Sequence, residues 1–241
     1  MNFEKPSIPV ENHLPLKIKT EEHVAASGES DVYKVEAETP SGEEKLIALK
    51  QARKQEFVSD EEMAKSKKFY DFLKNFPEFG KFVPDTLYFK ARIREGDQPQ
   101  AFAIQHFLKG KTIDEMSDEE LYKDPEVVSQ LIDFAKAAIK ILQTTRREKG
   151  LKPDFGTAFS ASTEAQRNGN MFGNSRYSTN IYITDKPDAV GRRVFFIDTG
   201  VNADERIDPF RQKVERQFMG RLREFNFKNW IKNLENMKSK S

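Results

Sequence analysis

Residues 124–150, "DPEVVSQLIDFAKAAIKILQTTRREKG", admit little besides a long amphipathic helix. Asp124 is a good N-cap, Pro125 suits the first helical position, and Gly150 stands where such a helix stops. Leu131, Ala135, Ala138 and Leu142 recur at helical spacing, which predicts one inward stripe. A helix with one apolar stripe has to bury it, so the neighbouring segments decide the fold class.

The segments before it read differently. Residues 1–16 hold three prolines and little periodicity, and read as a strap or a loose arm. "HVAASGESDVYKVEAET" reads as two short strands around a turn of small residues, "TPSGEE" as a turn and "KLIALK" as a third strand. "SDEEMAKSKKFYDFLKNF" reads as a helix capped by Ser59 or Asp60, with Glu62, Ser66, Phe69, Leu73 and Phe76 on one face. "KFVPDTLYFKAR" and "QAFAIQHFLKG" read as two further strands around the polar turn "REGDQP". The order strand, strand, strand, helix, strand, strand predicts an antiparallel sheet with one helix, and so an α+β chain.

The second half reads as mostly helical. "KTIDEMSDEELYK" suggests a short helix or two, 151–179 a long irregular stretch, and the residues from Asp208 one or two closing helices. Between these lies "NIYITDKPDAVGRRVFFIDTG", residues 180–200, two strands joined by a polar turn. The expected organisation is an arm over 1–16, a sheet-rich part over 17–107 and a helical part over 108–241 that includes the hairpin.

Composition narrows the function classes. Forty basic and 39 acidic residues leave a formal charge of +1, which gives no electrostatic push toward nucleic acid or an anionic membrane. There is no cysteine, so disulfides, thiolate nucleophiles and cysteine zinc sites are excluded. No stretch approaches the ~20 apolar residues that span a bilayer, and the first residues lack a signal-peptide core. The expectation is a soluble, cytoplasmic protein. Twenty phenylalanines supply core volume that the aliphatic residues do not.

Three places carry candidate chemistry. Lys50 ends the apolar strand "LIALK". It reads either as a lysine snorkelling at a strand end or as a cation fixed to hold phosphate oxygens, with Glu62 on the next helix as its carboxylate partner. "AASGESDVYKV" reads as a tight hairpin, or as a small-residue turn through Gly28 that lets backbone approach a nucleotide. Asn180 and Asp198 stand at the two ends of the second hairpin. They read as a turn former and a strand cap, or as two oxygen donors for a hard cation such as magnesium.

Taken in order along the chain, these segments resemble the protein-kinase-like fold. "IALK", residues 47–50, is similar to the family's V-A-I-K strand. "IQHFLKGKTIDEM", from Ile104, resembles the strand and linker between lobes. "TNIYI" resembles the end of the catalytic loop, and "FFIDTG" the strand leading to D-F-G, with Thr199 in place of phenylalanine. The resemblance covers roughly residues 18–225. It implies a bilobal fold, with an antiparallel N-lobe sheet and one helix followed by a reduced helical C-lobe.

The same resemblance implies roles. ATP would lie against Gly28 and Ser30, with Lys50 on its phosphates and Glu62 paired to Lys50. Gln105 would stand near the gatekeeper position, and His106 and Phe107 at the hinge by the adenine. Asn180 and Asp198 would hold Mg2+. The implied activity is phosphoryl transfer to an acceptor the sequence does not name. The chain also departs from the pattern. Ala25, Ser27 and Ser30 stand where glycines are expected, and no A-P-E motif follows Asp198. Counting back from Asn180, the catalytic-aspartate position holds Ser175. Asp154 of "KPDFG" supplies a base if 155–175 loop out as an insertion; otherwise it caps a turn. These departures imply the alternative of a pseudokinase, an inactive module that binds nucleotide or a protein partner.

Overall fold

The computed structural model describes residues 10–11, 17–26, 30–39, 41–52, 60–91, 99–145, 180–197 and 220–239. Among them are nine strands and four α-helices: β1 Val10–Glu11, β2 Lys17–Ala26, β3 Ser30–Glu38, β4 Glu44–Ala52, α1 Asp60–Asn75, β5 Thr86–Ala91, β6 Gln100–His106, β7 Gly110–Thr112, α2 Asp118–Tyr122, α3 Pro125–Thr145, β8 Ile181–Thr184, β9 Val194–Phe196 and α4 Gly220–Lys238. The chain divides into two units. One comprises the residues up to Tyr70 with Pro84–Leu108; the other comprises Asp71–Val83 with the residues from Lys109 on.

The first unit is a sheet in the order β1-β5-β6-β4-β3-β2. Strands β2 to β6 pair antiparallel, and the two-residue β1 joins β5 in parallel through Val10↔Lys90 and Glu11↔Ala91. The mixed, antiparallel-sheet character expected from the alternation is what the chain adopts. Opposed residues of antiparallel neighbours project to one face, and on one face Val35, Ala37, Ile47, Leu49, Phe89, Ala91 and Phe102 form the core, joined by Tyr33 and Ile104. Phe89 stacks on Phe102 at 5.5 Å between ring centroids. Helix α1 meets the other face, where Tyr70 lies 5.8 Å from Tyr88 and accepts a 3.1 Å hydrogen bond from the Thr86 amide. Phe69 and Leu73 of the expected helical face are fully buried.

Two short segments differ from the sequence reading. Lys81 and Phe82, expected to open a strand, lie in a 3-10 turn over Gly80–Phe82, and the strand begins only at Thr86. Pro84 explains the delay, because it has no N–H for a ladder and biases its predecessor. Lys111 and Thr112, expected to open a helix, instead form with Gly110 a strand that pairs with β8. A 3-10 turn over 113–115 and then α2 follow, each entered through a capping box at Thr112 and at Ser117.

The second unit is built on α3. Asp124 caps it as expected, its Oδ1 accepting from the Val127 amide at 3.1 Å, and Leu131, Ala135, Ala138 and Leu142 are all buried. The expected stop at Gly150 lies outside the described residues. Phe134 is the hub of an aromatic core. Its ring lies 5.3 Å from both Phe79 and Phe82, 6.3 Å from Phe196 on β9 and 6.4 Å from Phe227 on α4. Trp230 extends the cluster 6.2 Å beyond Phe227. Each such ring buried stabilises by about 1.5–3 kcal/mol relative to exposure, so this cluster holds β9 against α3.

Candidate functional site

Lys50 lies on β4 in the middle of the first unit's sheet. It is opposed by Val32 on β3 and by Ala103 on β6, and Ala103 is opposed by Tyr88 on β5. The row Val32–Lys50–Ala103–Tyr88 therefore crosses four strands on the face that meets α1. The next row on that face is Lys34–Ala48–Gln105–Thr86. Ile47 and Leu49, flanking positions in the sequence, point into the core on the other face. Lys50 is thus half-buried on a rigid strand among small side chains. Ser30, paired with Ala52 one row further on, is also half-buried. Glu62 lies in the first turns of α1, but its side chain, and with it the expected pair with Lys50, lies outside the described residues, as does Gly28.

Gln105 is buried, at 4% exposure. Its Nε2 donates to Thr86 Oγ1 at 2.9 Å, and that hydroxyl donates to the Pro84 carbonyl at 3.1 Å. A buried amide held this way satisfies the rule that interior polar groups are bonded. His106, the last residue of β6, is exposed. The Phe107 amide donates to Leu46 O at 3.1 Å, which carries the ladder one residue past β6, and the Lys34 ammonium lies 5.9 Å from the Phe107 ring. Lys50, Gln105 and Ser30 share one face of the sheet; His106 has the opposite parity.

The second unit holds the hairpin. β8 and β9 pair as Ile181↔Phe196, Tyr182↔Phe195 and Ile183↔Val194. At the mouth the Ile197 amide donates to the Asn180 carbonyl at 3.0 Å. Asn180 and Ile197 therefore stand opposite each other, and Asp198, the next residue in the chain, lies outside the described residues. Asn180 is half-buried, and its side-chain amide oxygen is a hard donor of the type magnesium takes. Among the described residues no three His, Cys, Asp or Glu side chains gather as a metal cluster.

The turn end of the hairpin is closed by Asp188. Its Oδ1 accepts from the amides of Val190 at 3.0 Å and Arg192 at 2.8 Å, and its Oδ2 from Arg192 Nε at 2.6 Å. Partial burial alone would raise this carboxyl; the Arg192 and Val190 amides and the Arg192 guanidinium outweigh it and hold it below its ordinary range. Gly191 takes φ +83°, a left-handed conformation that side chains resist.

This end is also fastened to helix α3. Gln130 Nε2 donates to Gly191 O at 2.8 Å, while its Oε1 accepts from the amides of Arg193 at 2.8 Å and Val194 at 3.2 Å. Arg193 pairs through Nη1 with Asp124 Oδ2 and donates from Nε to Thr184 O at 2.8 Å. Arg192 Nη1 donates to Lys81 O at 2.9 Å. The sequence marked Asp124 only as a helix cap, and it marked Gln130 not at all. The adjacent arginines after a turn glycine were the one available hint. Asp154, the candidate base, lies outside the described residues. Comparison of the chain with protein-family models and with curated proteins finds no match.

Proposed function

We propose that the chain is an ATP- and magnesium-dependent phosphotransferase with a bilobal, protein-kinase-like fold. The observation that carries this reading is the hairpin mouth. The backbone bond from Ile197 to Asn180 places Asn180, with its amide side chain, at the end of the ladder, and Asp198 follows Ile197 in the chain. The setting of Lys50 supports the reading: a half-buried lysine on a central strand, opposed by Val32 and Ala103.

In this reading Lys50 binds phosphate oxygens of ATP, with Glu62 orienting it, and the small-residue turn at Gly28 and Ser30 admits the phosphates. Gln105, His106 and Phe107 border the base. Asn180 and Asp198 hold the cation, which when bound neutralises phosphate charge. Asp154 accepts the proton of the acceptor hydroxyl as that oxygen bonds the γ-phosphorus and the bond to the ADP oxygen breaks. The chain's own part is positioning and charge, which is most of what phosphoryl transfer requires. We assign the protein to the cytoplasm; no helix among the described residues is long and apolar enough to cross a membrane.

A second reading, a pseudokinase that binds nucleotide or a protein partner without turnover, is favoured by Ser175 at the catalytic-aspartate position. Two measurements separate the possibilities. ATP with magnesium at 100 times its dissociation constant adds about 2.7 kcal/mol of stability. An unchanged melting point at millimolar ATP and magnesium rejects nucleotide binding, and with it the phosphotransferase and the nucleotide-binding pseudokinase. Phosphate transfer or autophosphorylation that Asp154→Asn abolishes selects the enzyme, and binding without turnover selects the pseudokinase.

A further inference from the structure

The hairpin that carries Asn180 has little structure of its own. Its strands are four and three residues long, and β7 adds only a short third strand on the β8 side, through Gly110↔Thr184, Lys111↔Ile183 and Thr112↔Tyr182, so the sheet is small and depends on what it packs against. Its placement therefore comes from what grips it. Packing of Phe196 against Phe79 and Phe134 holds the apolar side, but such contacts are non-directional and do not fix position along the strand. β7 supplies direction for β8 through its ladder, and Gln130 supplies it for β9. One side chain on α3 holds three backbone groups at the entry to β9, the Gly191 carbonyl and the Arg193 and Val194 amides. Two consecutive amides on one oxygen demand a bent backbone at Arg193, because successive amides of an extended strand point to opposite sides. From that bend three ladder residues lead to Ile197 and its bond to Asn180.

We propose that Gln130 is a positioning residue for the hairpin mouth: it sets where Asn180 stands, and so how tightly the site takes a divalent cation with a nucleotide, without touching either. This rests on the reading of Asn180 as a magnesium ligand. Partners that orient ligands from behind typically change metal affinity about 10–100-fold when removed. Asp124 and Arg193 reinforce the same bend through their ion pair.

The test is calorimetric titration of the full chain with ATP, with and without magnesium, for wild type, Gln130→Leu, Gln130→Glu and Asn180→Ala, alongside amide exchange at Ile197. Magnesium should tighten ATP binding to wild type, and Asn180→Ala should abolish that gain. Gln130→Leu should reduce it by about tenfold, leave metal-free ATP affinity at the wild-type value and speed exchange at Ile197. Gln130→Glu keeps the acceptor for both amides and loses only the donor to Gly191, so its loss should be smaller. If Gln130→Leu does not fold, Gln130→Glu decides, and any loss of the magnesium gain with faster Ile197 exchange supports the proposal. A full magnesium gain in a folded Gln130 variant, with Asn180→Ala still defective, overturns the positioning role and leaves the cation site standing. A wild type whose ATP binding ignores magnesium overturns the cation reading and the positioning role together.

Discussion

The chain contains two hairpins that solve the same turn in the same way and are held in different ways. Between β3 and β4, Thr39 gathers the turn: Gly42 N donates to its carbonyl at 2.8 Å, Glu43 N to its Oγ1 at 3.1 Å, and Thr39 N to Glu43 O at 2.9 Å. Between β8 and β9, Asp188 gathers the turn amides instead. Each turn has a glycine at φ +83°. The first hairpin then runs through nine opposed pairs and positions itself by its own ladder. The second has three and is positioned by β7 on its β8 side and by Gln130, Asp124 and the aromatic cluster on α3. A long ladder specifies register internally; a short one borrows it from a neighbour, and the borrowed case carries the proposed cation ligand.

The comparison can be broken first at the core. Phe196→Ala should cost about 3–5 kcal/mol, because the ring is fully buried among Phe79 and Phe134. Val35→Ala, also fully buried but in the long hairpin, should cost about 2 kcal/mol. Urea unfolding of both variants measures the difference, and a larger loss at Val35 would reverse the ranking. Next comes the polar grip. Gln130→Leu leaves two amides and a carbonyl without their partner and should cost about 2 kcal/mol. Thr39→Val, at an exposed turn where water replaces the hydroxyl, should cost under about 1 kcal/mol. Equal losses would mean that the second hairpin does not depend on its helix.

The turn glycines sharpen the same point at smaller scale. Gly42→Ala and Gly191→Ala should each lose about 1–2 kcal/mol, since both have positive φ and open space around the added Cβ. Equality here would show that the turns cost alike and that the hairpins differ only in their anchoring. The smallest effect is acid sensitivity. Asp188 is lowered in the folded state, so its contribution is present above the unfolded value of 3.8 and is lost as pH falls below it. Asp188→Asn should flatten that part of the stability curve below pH 3.8; an unchanged acid limb would contradict the assignment.

Legibility in the sequence followed the range of the interactions. Helix α3 was readable because its cap, its proline and its stripe are all local marks, and the five antiparallel strands were readable from alternation and turn residues. β7 was not: "GKT" carries no strand pattern, and it is a strand only because β8 pairs with it from far along the chain. The strand expected from Lys81 began later because Pro84 intervenes. At the site, the hairpin's span was readable from its polar turn. The role of Gln130 left no trace, since its partners lie 61 to 64 residues away and a single glutamine on a helix breaks no periodicity. Asp124 showed one of its two jobs, the local one.

The central claim is that Asn180, at the mouth of the short hairpin, helps a nucleotide bind through a divalent cation. Its most direct test is ATP titrated calorimetrically into wild type and Asn180→Ala, each with and without magnesium. The account predicts that magnesium strengthens binding to wild type and does nothing for Asn180→Ala. Equal strengthening in both proteins, or no binding of ATP to wild type at all, would contradict it.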